Sequence, residues 1–457
     1  MTLQQRSFII ILALLGSMLI RVSGQTIDTV RIESANSVAD GYSISLEPIV
    51  IDGFSGLQSF AAGQHDGKWV LIGGRTDGLH RMQPFASFAA SRSNTNIFVI
   101  DPESRKSLFV SVFGLSAALS EQLQATNMQF IQRDNMLYLI GGYGYSLTAR
   151  THVTHDKLTA VKVDCLISAV QKGNEISPCF RQITNPAFAV TGGQIGRIGD
   201  SYFLVGGQRF EGRYNPMGPD HGPGFKQYYT DQIRRFRLID DGKSLSVEIA
   251  AAVTDNAGLH RRDFNMLPQI FPGGVLGFTV FSGVFQIGAD IPFLNTVNIY
   301  GDKHQVNNSF TQHLNHYHSA KVAMHDAANQ KMESIFFGGI SQYEESAVGF
   351  TRNDDVPFTK VISKVTRDKD GKLSETKLGD MPGFLGAGAE FLIDPKVPTY
   401  ENEIVNSNKL RGGRVLLGYI VGGIDSAQKS IFFRNSGGES SASPRVFRVW
   451  LTERPTK

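Results

Sequence analysis

The sequence lacks an excess of charge of either sign. Its 457 residues include 45 lysines and arginines against 42 aspartates and glutamates, which gives a net charge of +3 with neutral histidines. No block of like charges interrupts the chain. Because a nucleic-acid-binding protein concentrates basic residues on one face, this balance gives no electrostatic case for a nucleic-acid partner.

Long apolar runs are also scarce, and the one candidate lies near the N-terminus. Residues 7–20 read SFIIILALLGSMLI, which is shorter than the roughly 20 residues that a membrane-spanning helix needs. Arg6 precedes this run, and Val22 and Gly24 supply small residues before Gln25. That order is typical of a secretory signal peptide. We therefore expect cleavage of residues 1–24 near Gly24-Gln25 and a periplasmic or secreted protein without a stable membrane span; an uncleaved membrane anchor is the alternative.

Cysteine is nearly absent, with two residues and no CxxC spacing, so the sequence offers no cysteine-based metal site. Cys165 and Cys179 lie 14 positions apart. The segments before Cys165 and after Cys179 alternate like strands, and QKGNE between them has turn chemistry. In an oxidising compartment this pattern predicts a disulfide across a β-hairpin, with two buried free thiols as the alternative.

Glycine, in contrast, is abundant, with 48 residues, and it recurs in pairs that end apolar β-type runs such as WVLIGG, LYLIGG and YFLVGG. Glycine weakens a strand because it has no side chain to pack and much entropy to lose. Its recurrence at spacings of 56 to 84 residues therefore indicates a repeated structural unit with variable loops. The pairs are Gly73-Gly74, Gly141-Gly142, Gly206-Gly207, Gly338-Gly339 and Gly422-Gly423, with a degenerate copy at Ser282-Gly283.

Two further signals keep step with the glycine pairs. A strand that ends in or near an acidic residue follows each pair, and tight-turn sequences such as HDGK, QRDN and RIGD precede several of them. The unit is therefore predicted to be strand, tight turn, strand, Gly-Gly, loop, strand, turn and strand, repeated six times. The acidic residues are Asp101, Asp164, Asp240, Asp302, Asp368 and Glu453.

This pattern resembles the kelch-repeat β-propeller family, of the galactose-oxidase-like superfamily and of an exported bacterial type, from about Val50 to Glu453. The sequence departs from the family pattern at two points. The tryptophan expected after each glycine pair is mostly absent, since Trp69 and Trp450 are the only two, and Ser282 replaces a glycine. The resemblance implies an all-β, six-bladed kelch-type β-propeller, formed as a single domain by residues 25–457.

The predicted blades span residues 54–113, 124–183, 184–252, 259–312, 313–381 and 383–455. The last blade lacks a fourth strand, so we expect strand 40–50 to complete it as the outer strand and to close the ring. A side chain in place of a paired glycine would collide with neighbouring backbone, which explains the pairs. A seven-bladed ring that uses TIDTVRIES in an extra blade is the alternative.

In a propeller, the loops after the glycine pairs and the segments that lead into each first strand emerge on one face around the axis. Here those segments are rich in arginine, histidine and tyrosine, which suit a polar, anionic ligand, and loop 208–229 is the predicted wall or lid. The alternative is that these loops are polar only because they are solvated. The candidate ligand-binding residues are Arg75, Asp77, His80, Arg81, Tyr143, Tyr145, Arg209, Glu211, Arg213, Arg261, Arg262, His316, His318 and Tyr343.

The histidines at 313, 316, 318 and 325 are clustered in sequence, and in a strand His316 and His318 would share one face, a spacing compatible with a metal pair. Copper radical oxidases also use a kelch-type propeller, but they need a free cysteine for a Tyr–Cys crosslink. Because both cysteines are assigned to one disulfide, we predict no metal and no other cofactor. The expected role of these histidines is a hydrogen-bonded polar edge.

The sequence is also similar to exported bacterial sialic-acid mutarotases, which are six-bladed kelch propellers. That similarity is one of fold and pocket chemistry, and it implies a metal-independent carbohydrate-active enzyme. Glu211 as a base, with Arg209, Arg213 or Arg261 as a carboxylate clamp, would suit such chemistry. The favoured prediction is instead a monomeric exported propeller that binds a glycan, a small anionic sugar or a protein partner without catalysis.

Overall fold

The computed structural model describes residues 28–34, 41–81, 87–214, 225–411, 413–432 and 436–453. This part of the chain is all-β, with two short α-helices at Ala117–Gln122 and Val163–Lys172. The predicted signal peptide lies outside the described residues. Within them, no helix has the length and apolar character needed to cross a membrane.

Six main sheets follow one another along the chain, and in each of them four strands pair antiparallel with their neighbours in up-and-down order. Sheet 1 comprises Ala61–His65, Lys68–Ile72, Asn96–Asp101 and Lys106–Ser111. Sheet 2 comprises Gln129–Arg133, Met136–Ile140, Lys157–Lys162 and Phe180–Thr184. Sheet 3 comprises Gln194–Ile198, Ser201–Val205, Gln232–Asp240 and Leu245–Ile249. Sheet 4 comprises Asn265–Phe271, Val275–Phe281, Thr296–Tyr300 and Lys303–Asn307; sheet 5 comprises Ala320–Asp326, Lys331–Phe337, Val361–Arg367 and Leu373–Asp380; sheet 6 comprises Ala389–Ile393, Arg414–Gly422, Val446–Glu453 and Tyr42–Ile49.

Shorter strands extend these sheets or form hairpins between them. Tyr143–Ser146, Thr151–Thr154, Gln208–Gly212 and Phe225–Tyr229 make a further four-stranded sheet, while Tyr343–Ser346 pairs with Gly349–Arg352 and Ile424–Ser426 pairs with Ser440–Ala442. Val253–Thr254 adds to sheet 3, and Val405–Asn406 pairs with the first strand of sheet 5.

Tight two-residue turns join the first two strands of sheets 1, 2 and 3, as the sequence indicates. In sheet 1, His65 pairs with Lys68, so Asp66 and Gly67 form a two-residue loop. Both have positive φ, 47° and 71°, the conformation that an Asp-Gly type I′ turn requires and that matches the right-handed twist of the paired strands.

The fourth strand of sheet 6 comes from the other end of the chain. Tyr42–Ile49 pairs antiparallel with Val446–Glu453 along its full length. The Glu47 carboxylate accepts hydrogen bonds from Trp450 Nε1 at 2.8 Å and Arg448 Nη1 at 3.1 Å, which reinforce the pairing.

The preceding segment does not build a sheet of its own in the described region. Thr29–Val30 pairs with Gly349–Arg352, and Glu33–Ser34 runs parallel to the outer strand of sheet 5. The described part of TIDTVRIES therefore adds edge strands beside sheet 5 rather than forming part of an extra blade.

The glycine pairs lie where one sheet meets the next. A Cβ on Gly141 would stand 2.0 Å from the Val190 carbonyl oxygen, and one on Gly338 would stand 2.0 Å from the Leu385 oxygen, distances that no side chain can occupy. The second glycine of each full pair donates its N–H to that same carbonyl. These bonds are Gly74 to Ala125 and Gly142 to Val190 at 2.9 Å, and Gly207 to Arg261, Gly339 to Leu385 and Gly423 to Leu57 at 2.8 Å.

The degenerate pair, Ser282-Gly283, keeps the positive φ of the other pairs although serine replaces its first glycine. Ser282 has a φ of 57° and is fully buried, and its hydroxyl has no hydrogen-bond partner among the described residues. Both features cost stability, because L-residues disfavour positive φ and buried polar groups need partners.

Apolar clusters fill the spaces between successive sheets. One cluster contains Val70 of sheet 1 and Leu139 of sheet 2, and comparable clusters join sheets 2 and 3, 3 and 4, 4 and 5, and 5 and 6. A further cluster joins sheet 6 to sheet 1, where the rings of Tyr419 and Trp69 meet with centroids 4.8 Å apart.

Cys165 and Cys179 form the predicted disulfide, with their Cα atoms 5.6 Å apart. The flanking strands Lys157–Lys162 and Phe180–Thr184 pair antiparallel as predicted, but the predicted position of Cys165 in a strand is wrong. The strand ends at Lys162, and Cys165 lies in helix Val163–Lys172. The reason is the helical spacing of Val163, Leu166 and Ile167, which pack in the cluster between sheets 1 and 2. Gly173, with a φ of 66°, ends the helix.

Candidate functional site

The segments that follow the glycine pairs and those that lead into the first strands surround one cavity of about 150 Å³, which we call the hub pocket. Every main sheet contributes to its lining. One contributor from each sheet, in order, is Arg75, Asn127, Gln208, Arg262, His318 and Gly388.

The charged side of the hub pocket is built from Arg262 and Asp263, which lie in the segment before sheet 4. The Arg262 guanidinium donates through Nη1 to the Asp263 carboxylate and through Nε to the Tyr229 hydroxyl at 3.3 Å. Its Cζ also lies 5.1 Å from the centre of the Phe285 ring. Burial alone would lower the pKa of Arg262, but Asp263 and the two tyrosine hydroxyls of Tyr229 and Tyr214 raise it, so this cation stays charged inside the pocket.

A second arginine is held in place beside the pocket. Arg75 donates from Nε and Nη2 to the two oxygens of Asp77 at 2.7 and 2.6 Å, the bidentate geometry that suits a guanidinium and a carboxylate. Its Cζ lies 5.1 Å from the centre of the Phe88 ring. Arg75 is therefore held in place by Asp77, and Asp77 itself does not line the pocket.

The hub pocket also has an aromatic wall, which His80, Phe88, Tyr214 and Phe432 form. The His80 ring stacks on Phe88 with centroids 5.1 Å apart and meets Tyr214 edge-on at 5.1 Å and Phe432 edge-on at 5.9 Å. The Tyr143 hydroxyl donates to the Gly212 carbonyl at 2.8 Å and accepts from the Tyr214 backbone N–H at 3.0 Å, which fixes the hairpin that carries Tyr214.

Two histidines of the pocket are neutral at pH 7. Burial lowers the pKa of His80 to about 4, opposed by a hydrogen bond with the Arg81 carbonyl and assisted by the charges of Arg262 and Arg75. Burial likewise lowers the pKa of His318 to about 4, although the Asp263 carboxylate opposes the shift. The His318 imidazole can thus act as a proton acceptor or as a neutral hydrogen-bonding group.

Five of the predicted site residues line the hub pocket: Arg75, His80, Tyr143, Arg262 and His318. Arg81 is exposed beside the pocket, and Tyr145 packs edge-on against His152 with centroids 5.3 Å apart. Arg213 donates to the Ser87 carbonyl at 3.0 Å. None of these three lines the pocket.

The predicted base and clamp do not come together. Along Gln208–Gly212, Gln208 and Phe210 face the pocket, so the period of two in a strand turns Arg209 and Glu211 to the other face. There they form a half-exposed ion pair at 3.1 Å. Glu211 therefore has no access to the pocket, which corrects its assignment as the base.

Arg261 is buried in the protein rather than in the pocket. It is 1% exposed and donates to the carbonyls of Gly258 at 2.8 Å, Ser282 at 2.9 Å and Asn295 at 3.0 Å. Its neighbour Arg262 lines the hub pocket instead. One of these two adjacent arginines is therefore structural, and the other is accessible from the pocket.

The predicted common face for His316 and His318 is wrong. Both have positive φ, 46° and 47°, so the backbone there is not a strand. His316 is fully buried, with its ring nitrogens bonded to the Gly338 carbonyl and, at 2.8 Å, to the Ser363 hydroxyl, while His318 reaches the pocket. Tyr343 is also structural, since its buried hydroxyl donates to Asp28 at 2.7 Å.

The disulfide leaves neither cysteine free, so a Tyr–Cys crosslink cannot form. In the described ranges, no group of three or more His, Cys, Asp and Glu side chains is placed to hold a metal ion.

The sequence did not identify Phe88, Tyr214, Asp263, Tyr317 and Phe432, all of which line the pocket. Asp263 adjoins two predicted arginines in HRRDF, and an acid next to a buried arginine is the signal that could have identified it. Phe88 and Phe432 lie well beyond their glycine pairs, and nothing in their local sequence marks them.

Comparison with known protein families finds no match, and a search of curated proteins finds none. Among solved structures, the chain is similar to one described as "Structure of YjhT", with a TM-score of 0.46 and 11% sequence identity over 86% of this chain and 95% of that chain. None of these three comparisons assigns a family or an activity to this protein.

Proposed function

We propose that this chain is a six-bladed kelch-type β-propeller, exported after cleavage of residues 1–24 and monomeric. The six sheets would be the blades of one domain. Three observations support the closed ring: the glycine bond from Gly423 to Leu57, the cluster between sheets 6 and 1, and the pairing of Tyr42–Ile49 with Val446–Glu453. The disulfide supports an oxidising compartment.

The proposed function is binding of a small anionic sugar, free or at the end of a glycan, in the hub pocket. The observation that carries this proposal is that one cavity is lined by Arg262, in its ion pair with Asp263, by Arg75, and by the aromatic wall of His80, Phe88 and Tyr214. A guanidinium recognises a carboxylate, and an aromatic ring packs against the apolar face of a sugar ring.

The size of the pocket sets the size of the ligand. A cavity of about 150 Å³ is small beside the roughly 300 to 1,000 Å³ of most small-molecule sites. It therefore suits one sugar ring rather than an oligosaccharide. A protein partner would engage the same face through one inserted side chain.

Binding can be measured by isothermal titration calorimetry with N-acetylneuraminic acid, glucuronic acid, galacturonic acid, glucose and galactose. We expect saturable binding of at least one acidic sugar and none of the neutral ones. Arg262→Lys should weaken it by about tenfold or more, because the planar donor fork is lost. The matched control is Arg209→Lys, which changes an arginine on the outer face of the hairpin.

Binding of neutral and acidic sugars with equal affinity, or equal loss in the Arg209→Lys control, would contradict the assignment of Arg262. Absence of binding by every sugar would contradict the proposed ligand class. A pull-down with the purified protein as bait would then test for a protein partner.

A second candidate function is interconversion of sugar anomers without a metal. The observation that favours it is the neutral His318 beside Asp263 and Tyr317 in one pocket, a set able to accept and donate protons. Nuclear magnetic resonance can follow the anomer exchange of any sugar that binds. Exchange no faster than in buffer, or equally fast with His318→Gln, would rule this activity out.

A further inference from the structure

The hub pocket continues into the interior of the protein. A second cavity, of about 190 Å³, shares Ser59, Asn127, Asp263 and His318 with it. A third cavity, of about 540 Å³, shares Phe130 and Glu390 with the second. The second and third cavities lie end to end between the first strands of the sheets, and we call them the hub channel.

The lining of the hub channel is uneven. Sheets 1 to 4 contribute apolar side chains from their first strands beside polar ones such as Gln132 and Arg197, whereas sheets 5 and 6 contribute Lys321 and Glu390. The second cavity is also lined by Asp263, which is paired with Arg262, and by Glu403, whose pKa is raised by burial so that its uncharged form is favoured. The apolar contributors are Ala62, Phe130, Ile195 and Met266.

Lys321 and Glu390 are held apart. Both are half-buried, on the neighbouring strands Ala320–Asp326 and Ala389–Ile393, and within the described ranges they form no salt bridge with each other. Burial lowers the pKa of Lys321 and raises that of Glu390 to about 7, and each charge partly offsets the shift of the other. Two partly desolvated charges without direct contact are unfavourable unless something lies between them.

A third polar group in the same cavity lacks a partner. Gln129 is 3% exposed and lines the cavity. Its Nε2 donates to the Asn127 carbonyl at 2.7 Å, but its Oε1 has no hydrogen-bond partner among the residues that the structure describes. A buried acceptor of this kind needs a donor, from water or from a ligand.

We propose that the hub channel binds a small zwitterion, of the free α-amino acid class, between Lys321 and Glu390. The ligand carboxylate accepts from the Lys321 ammonium, and the ligand ammonium donates to the Glu390 carboxylate and to Gln129 Oε1. The apolar side chains of the channel receive the ligand side chain. Lys321 would repel an inorganic cation and Glu390 would repel a simple anion, while Asp263 is already paired with Arg262, so a ligand with both charges suits these two groups.

This site and the proposed sugar site use different charged groups, although their cavities share Ser59, Asn127, Asp263 and His318. Lys321, Glu390 and Gln129 do not line the hub pocket, and Arg262 does not line the channel. Each site can therefore be present without the other, and each can be tested alone.

The test is calorimetric titration of the full-length protein with each of the 20 standard L-amino acids. We expect saturable binding of at least one. Its N-acetyl and amide derivatives, which each lack one charge, should bind about tenfold more weakly or worse. Glu390→Gln and Lys321→Met should weaken binding by a similar factor, while Lys321→Arg, which keeps the charge, should retain it.

Three control variants separate the channel from the surface and from the hub pocket. Lys243→Met and Glu248→Gln change exposed groups of sheet 3 and should not alter amino acid binding, and neither should Arg262→Lys. Thermal unfolding of every variant verifies that it is folded. Absence of binding by all 20 amino acids, equal binding of the blocked derivatives, or full binding by Glu390→Gln and Lys321→Met would each overturn the proposal and leave water as the bridge between the two charges.

Discussion

The backbone N–H of Gly423 donates to the carbonyl oxygen of Leu57 at 2.8 Å. Gly423 follows the second strand of sheet 6, and Leu57 precedes the first strand of sheet 1, so this bond joins distant parts of the sequence. Four other glycine pairs make the same bond to the next sheet. The stability of the assembly therefore depends on local contacts that single substitutions can test.

Gly141→Ala should lower the free energy of unfolding by about 3 kcal/mol or more. The new Cβ would meet the Val190 carbonyl oxygen at 2.0 Å, so the contact between sheets 2 and 3 must open, and the positive φ adds about 1 kcal/mol of strain. Urea unfolding followed by circular dichroism measures the change.

The control for this substitution is Gly199→Ala. Gly199 also has a positive φ, 56°, but a Cβ there would meet nothing within 4 Å. It should therefore cost only the strain, about 1 kcal/mol. Equal losses in the two variants would show that the contact at Gly141 is unimportant.

Ser282→Gly should raise the free energy of unfolding by about 1 kcal/mol. Glycine relieves the backbone strain of the positive φ, 57°, and removes a buried hydroxyl that lacks a partner in the described part of the chain. Together these two gains in stability exceed the cost of the greater conformational entropy that glycine adds to the unfolded chain. Ser59→Gly is the control, because Ser59 also has a positive φ, 53°, but its hydroxyl donates to Gln58 at 2.6 Å. A stabilisation as large at Ser59 would assign the effect to backbone strain alone.

Glu390→Gln should stabilise the protein in a pH-dependent manner. The folded-state pKa is raised from 4.5 to about 7, chiefly by burial, so the folded state holds this proton more tightly than the unfolded state. The wild-type protein then loses stability as the pH rises from 4.5 to about 7, and the variant does not. The difference in Tm between the variant and the wild type should grow across that range and level off above it, and a difference that does not change with pH would contradict the raised pKa of Glu390.

Replacing both cysteines, Cys165→Ser with Cys179→Ser, should lower the free energy of unfolding by about 3 kcal/mol, since the bond closes a loop of about 15 residues in the unfolded chain. The wild-type protein in excess dithiothreitol should show the same loss, and the double variant should be unaffected by the reductant. Retention of full stability would mean that helix Val163–Lys172 is held by packing alone.

The repeated sheets were predictable because their signals are local. An apolar run before Gly141-Gly142, or an Asp66-Gly67 turn, reports a strand end wherever it stands. Helix Val163–Lys172 was missed because VKVD continues the alternation of the preceding strand, and only the later spacing of Leu166 and Ile167 favours a helix.

The site was harder to predict because accessibility is set by neighbours in space. Arg261 and Arg262 are identical in type and adjacent in sequence, yet the first is bound to three carbonyls and the second faces the pocket. Arg209 and Glu211 were predicted from the correct loop but lie on the outer face of its strand. The loops that surround the pocket could be predicted from the sequence. Which of their side chains point into the pocket depends on the orientation of each strand, and that could not be predicted.

The pairing of Tyr42–Ile49 with Val446–Glu453 also governs how the protein can fold. During synthesis the strand Tyr42–Ile49 emerges early. It remains unpaired until its partner strand, which lies about 400 residues later in the sequence, has been made. Contacts between such distant segments form slowly, and an apolar strand without a partner is prone to pair with another molecule. The step that completes sheet 6 is therefore the stage at which newly made molecules are most exposed to aggregation.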